Sequence, residues 1–142
     1  MGNSDTHYEG QLGIPHTAVL AESLTAGAVL AGIRAGRSWI AASTDVSLSV
    51  TASACGRSPG IGERLAVPPD APVLVRVEVR GVASGTVSLH TERGPVHRES
   101  LARDTAGTVE WPTTPADTGF VRVEVRHNEG SMAALSNPVL LG

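Results

Sequence analysis

Two alternating strings constrain this chain more than anything else in it. Residues 73–80 place Val75, Val77 and Val79 on one side and Arg76, Glu78 and Arg80 on the other. Residues 120–126 do the same, with Val121, Val123 and Val125 opposite Arg122, Glu124 and Arg126. Side chains on a strand point alternately to opposite faces, so each string predicts a strand with one buried and one wet face, as antiparallel sheets have. The shared R-V-E-V-R text could reflect an internal duplication, but the need for inward valines and outward charges of both signs produces the same string and is the preferred reading.

Shorter period-two segments surround these strings. Residues 39–42 and 48–51 read as strands separated by a polar turn holding Thr44 and Asp45. Residues 86–91 and 96–101 read as a pair joined through Gly94-Pro95, 108–111 as a short strand and 112–119 as a turn region. Residues 132–135 and 139–141 supply the last pairing. Their number and spacing predict a mainly β chain whose larger part is a small antiparallel immunoglobulin-like β-sandwich. Aromatic residues make up only 3% of the chain, so the core is expected to consist of Val, Leu and Ala, with Trp111 as a plug at a strand end.

One helix is written into the stretch before Trp39. Thr25 is placed to cap its free first-turn amides, with Leu24 and Val29 at the two positions of a hydrophobic staple. Leu30 and Ile33 extend the apolar face. Gly36 is the expected left-handed stop, with Arg34 and Arg37 near the negative end of the helix dipole. Gly27 and Gly32 each cost about 1 kcal/mol relative to Ala in a helix interior. Such a helix is expected to pack on a sheet, where small residues permit close approach.

The chain of 142 residues suits one domain or a small domain with an appendage, and falls short of the about 250 residues of a full α/β barrel. Its net charge of -3, with no dense run of Lys or Arg, argues against nucleic-acid binding. No apolar run reaches the roughly 18 residues that a transmembrane helix needs, and no secretory leader is legible, so the default placement is cytoplasmic, with export of a parent protein still compatible. Cys55 is the only cysteine, which excludes an internal disulfide or a Cys-x-x-Cys motif and predicts a loop or partly buried thiol.

The residues best suited to chemistry are Asp5 and His7. A carboxylate and an imidazole two positions apart point the same way on an extended strand or at its end, where they can share one ion. Oxygen and nitrogen donors together suit zinc, manganese or non-haem iron. Glu9 and Glu22 flank the pair in sequence without defining a geometry. His16 is a weaker candidate. His90 and His127 are expected on the solvated faces or ends of strands, and His97 beside Arg98 and Glu99 in cross-strand charge pairing.

Around this pair the residues follow a recognisable order. Gly2-Asn3-Ser4-Asp5-Thr6-His7 is followed by Gly13-Ile14-Pro15-His16-Thr17, the helix, and Gly36-Arg37-Ser38-Trp39. This arrangement, over roughly residues 2–52, resembles the last part of a PHP-domain metal-dependent phosphoesterase of the CehA/McbA-like subfamily. A looser likeness appears in residues 120–126 followed by Ser136-Asn137-Pro138.

The resemblance implies that residues 1–55 are a short α/β remnant of the PHP barrel with one helix; the Gly/Pro-rich composition of 56–72 marks a linker or loop, and the alternating strands of 73–142 form the β-sandwich. The resemblance also implies that Asp5 and His7 match the family's late metal ligands, whereas His16 stands where the family places none. In the family, metal-activated water hydrolyses a phosphoester bond. The ligands that the family places earlier have no counterpart here, so the isolated chain is expected to bind its divalent ion at low occupancy and to be inactive. Its implied partner is the missing N-terminal barrel portion, or a second copy of itself. The competing reading is a non-enzymatic β-sandwich module that binds a partner or self-associates through exposed sheet edges.

Overall fold

The two alternating strings become the central strands of two different sheets. In the computed structural model, which describes all residues except Glu9, Gln11 and 102–105, they form β5 (Val73–Arg80) and β9 (Phe120–His127). Val75, Val77, Val121, Val123 and Val125 are completely buried, and Val79 nearly so, in one shared core. The outward charges pair as alternation requires: Arg76 reaches Glu78 at 3.0 Å and Glu110 at 3.4 Å, and Arg126 reaches Glu124 at 2.5 Å. These exposed pairs contribute little to stability and serve mainly to keep the outer faces wet.

The smaller sheet has three strands, with β5 between β3 (Ser47–Ser53) and β8 (Ala106–Thr113), all antiparallel. The larger has eight. In it, β9 is flanked on one edge by β6 (Gly85–Thr91), which pairs onward with β7 (Gly94–Leu101). Its other edge carries β10 (Met132–Ser136) and then β11 (Val139–Leu141), interrupted at Asn137-Pro138. The chain is thus mainly β, and its two sheets enclose a core of Val, Leu and Ala against which Trp39 and Trp111 are partly buried.

Two expected turns shift. Thr91 pairs with Gly94, so the hairpin turns at Glu92 and Arg93, and Gly94-Pro95 lies inside β7 beside a register shift at Leu89/His90. Pro112 pairs with Leu74 and belongs to β8. Proline is tolerated there because β8 is an edge strand among the described residues.

The pairings also cross the expected segment boundaries. β3 lies within residues 1–55, yet it pairs along its length with β5. β1 (His16–Val19) pairs with β2 (Ser38–Ala41), and β2 pairs in turn with β10, so this N-terminal piece extends the larger sheet. Residues 56–72 are folded onto the sandwich: β4 (Arg64–Leu65) runs parallel to β11, and Leu65 is fully buried. The physical reason is pairing, since Ala41 and Ala134 are small, fully buried cross-strand partners that seat β2 directly against β10.

Helix α1 spans Ala26–Arg34. Thr25 caps it, its hydroxyl accepting the Ala28 amide at 3.3 Å. Gly36, at φ +73°, closes it with the paired bonds of a Schellman motif: Gly36 N–H to the Ile33 carbonyl at 3.0 Å and Arg37 N–H to the Gly32 carbonyl at 2.9 Å. The staple is not formed, because Leu24 is fully exposed. Leu30 is half exposed. The helix approaches the sheet instead through Gly32, where an added Cβ would stand 2.6 Å from the Leu20 carbonyl oxygen. No helix among the described residues is long and apolar enough to cross a membrane.

Candidate functional site

The N-terminal segment is tied to the sheet before it reaches Asp5. The Gly2 amide donates to the Thr17 hydroxyl at 2.9 Å, and that hydroxyl donates back to the Gly2 carbonyl at 2.8 Å. Residue 2 has to be small, because a Cβ there would lie 2.7 Å from a methyl of Ile40. Beyond this anchor the backbone turns rather than extends. Asp5 has φ +44°, in the left-handed region, and its amide donates to Asn3 Oδ1 at 3.0 Å. This is the local side-chain-to-backbone turn that Asn favours. The expected extended strand through Asp5-Thr6-His7 is therefore replaced by a turn, and period-two geometry does not bring the two side chains together.

The turn orients His7 by another route. Its Nδ1 lies 2.6 Å from the Asp5 carbonyl oxygen. A carbonyl only accepts, so Nδ1 is the donor in this contact, and in the neutral tautomer that fits it the lone pair lies on Nε2. Metal-ligating histidines are held in this way, with the second ring nitrogen fixed by a backbone carbonyl. Asp5 and His7 are both exposed. Oxygen and imidazole donors suit a borderline divalent ion such as zinc, manganese or iron. Among the described residues no group of three or more His, Cys, Asp or Glu side chains comes close enough to enclose a metal. Asp5 and His7 carry donor types for part of a coordination shell and do not complete one.

The other candidates remain apart. His16 opens β1 with its Nδ1 3.0 Å from the Gly13 carbonyl oxygen. Glu22 is exposed, and Glu9 lies outside the described residues. His90 does lie on the outer face of its sheet, but its side chain is only 16% exposed and 4.0 Å from Glu124. Burial, followed by the positive field of Arg122, pushes its pKa below the ordinary 6.5. The Arg126 hydrogen bond holds the Glu124 carboxyl below its usual range. His97 pairs within its own strand, with Glu99 at 3.5 Å, and not across strands. Cys55 is free and exposed in a tight turn at φ +50°.

The structure also assembles a cleft that no motif announced. Between the α1–β2 turn, β3 and residues 58–63 lies a cavity of about 350 Å³, walled by Leu20, Trp39, Leu48, Val50 and Ile61, with Arg37 and Glu63 among its lining. Its members are scattered over more than forty positions, so only the fold brings them together. Sequence alone marks Arg37 as a helix-dipole partner and Trp39 as the start of a strand.

Comparisons with protein-family models, with curated proteins and with solved structures found no match to this chain.

Proposed function

We propose that this chain is the C-terminal portion of a metal-dependent phosphoesterase, in which Asp5 and His7 contribute two ligands to a divalent metal centre whose other ligands come from outside the described residues. The observation that carries the reading is the His7 imidazole, held through Nδ1 on the Asp5 carbonyl with Nε2 free for an ion. The order of residues 2–52, similar to the late part of PHP-domain enzymes, supplies the reaction class. In that role Asp5 offers anionic oxygen, His7 offers neutral nitrogen, and Gly2 and Thr17 fix the segment to the sheet. A bound divalent ion would lower the pKa of its water toward about 7, making hydroxide available at neutral pH. The sandwich is of immunoglobulin-like type in this reading. Supporting this are a three-stranded sheet β3-β5-β8 facing β7-β6-β9-β10/β11, and the parallel pairing of β4 with β11.

Titrating the purified chain with Mn²⁺, followed by water-proton relaxation, tests the pair. Weak binding is expected, at least tenfold weaker in His7→Ala and in Asp5→Asn. Equal affinity in wild type and both variants would remove these residues from any metal site. The chain alone is expected not to hydrolyse an activated phosphodiester, and metal-dependent turnover by a contaminant-free sample would refute the divided centre.

A second reading, self-association, is favoured by the distribution of exposed large apolar side chains. All but Leu74 and Val96 lie within the first thirty residues, among them Tyr8, Leu12, Leu20 and Leu24. Sedimentation velocity distinguishes the two, because a monomer over a wide concentration range excludes self-association.

A further inference from the structure

The cleft beside Trp39 has the composition of a small-molecule site and is independent of the metal pair. Its volume of about 350 Å³ falls within the range of ligand pockets, roughly 300–1,000 Å³. Its walls combine branched aliphatic side chains with Trp39, and two opposite charges join them.

Those charges do not neutralise each other, since Arg37 and Glu63 are not within ion-pair distance. The Nε of Arg37 is shut off from solvent and has no hydrogen-bond acceptor. The rest of the side chain is partly exposed and lines the cleft, where a carboxylate is the group whose geometry a guanidinium matches best. Glu63 is held by one oxygen, which accepts the Gly60 amide at 2.8 Å. Its other oxygen can accept a further donor. An apolar cleft with one uncompensated cation and one anchored anion is complementary to a molecule with an apolar body and both charges.

We propose that this cleft binds a small apolar zwitterion of the amino-acid class. The ligand carboxylate meets Arg37, its ammonium meets Glu63, and its side chain lies against Trp39, Leu48, Val50 and Ile61. The selectivity is set by geometry: a ligand carrying only one of the two charges leaves the opposite residue of the cleft unpaired on closing it.

L-Phenylalanine, 3-phenylpropionate and phenethylamine, titrated separately into ¹⁵N-labelled protein, test this. Phenylalanine is expected to shift the Trp39 indole N–H and the Val50 and Ile61 amides saturably while leaving the Trp111 indole in place. The two singly charged analogues are expected to bind at least tenfold more weakly. Arg37→Gln and Glu63→Gln should each weaken phenylalanine at least tenfold, and Gln at position 63 retains an oxygen for the Gly60 amide so that the loop is held. Absence of a saturable shift at the cleft overturns the proposal, as does phenylpropionate or phenethylamine binding as tightly as phenylalanine. Unchanged affinity in either variant, with spectral dispersion intact, overturns it too.

Discussion

Replacing Gly62 by alanine tests the contact that seats the N-terminal piece on the sandwich. Gly62 has φ +82°, and a Cβ there would lie 2.4 Å from the Gly36 carbonyl carbon and 2.5 Å from both the Gly36 oxygen and the Arg37 nitrogen. These are backbone atoms that cannot swing aside. The Gly36 turn is held by its own helix-closing bonds and by Asn137, whose Nδ2 donates to the Gly36 carbonyl at 3.0 Å. On the other side, the Gly62 amide donates to the Pro138 carbonyl at 2.9 Å. The left-handed backbone costs a Cβ-bearing residue about 1–2 kcal/mol. Forcing a methyl into a packed contact adds about 1–3 kcal/mol. Alanine returns about 0.4–1 kcal/mol by stiffening the unfolded chain. The expected net loss is therefore about 1–4.6 kcal/mol. Gly130→Ala is the matched control, because Gly130 has φ +90° and nothing within 4 Å of a built Cβ, so it bears the backbone cost alone. Urea unfolding followed by far-UV dichroism compares them. With an m-value of about 2 kcal/mol/M, Gly62→Ala should lower the midpoint by about 0.5–2.3 M and Gly130→Ala by about 0.8 M or less, the difference of about 0.5–1.5 M being the packed contact. Equal midpoints would refute the close approach of the two turns.

Three further outcomes are expected. Val77→Ala removes two methyl groups from a side chain with no exposed surface, and should cost about 2–3 kcal/mol in urea unfolding with the m-value unchanged; a loss below about 0.5 kcal/mol would contradict the shared core. Thr25→Ala should cost about 1 kcal/mol through loss of the cap on the Ala28 amide, read as a lower urea midpoint, whereas Thr25→Ser should restore most of it. His90 has a folded pKa lowered chiefly by burial and then by Arg122, so its unfolded form takes up protons first as pH falls. The stability it preserves is fully present above the unfolded value of 6.5 and is lost as pH falls through the folded value. Unfolding midpoints measured from pH 7.5 down to pH 5 should fall less steeply in His90→Gln than in wild type, and parallel profiles would show that His90 does not contribute.

Much of the fold was legible because its signals are local. The valines of β5 and β9 declared their buried face by spacing alone, and Thr25 and Gly36 marked both ends of the helix through chemistry that needs only nearby amides and carbonyls. The failures were failures of locality. Leu24 and Val29 occupy staple positions, yet Leu24 is fully exposed, because spacing cannot report whether a neighbouring body covers a side chain. Asp5 and His7 were identifiable as donors, but their mutual geometry depended on the turn made by Asn3 and on the left-handed backbone at Asp5.

The amino-acid sequence by itself determined most of the strand segments, the faces that β5 and β9 bury, where the described helix starts and stops, and which residues carry metal-donor atoms. These follow from periodicity and from bonds between residues a few positions apart. Only the tertiary structure decided that β2 joins β10, that β3 crosses an expected boundary to pair with β5, and that the Asn137-Pro138 interruption binds the Gly36 and Gly62 turns together. It alone set Arg37, Trp39 and Glu63 around one cleft. Pairing and packing between distant segments depend on shape and on the satisfaction of backbone donors across the whole chain, and no short window of sequence contains that information.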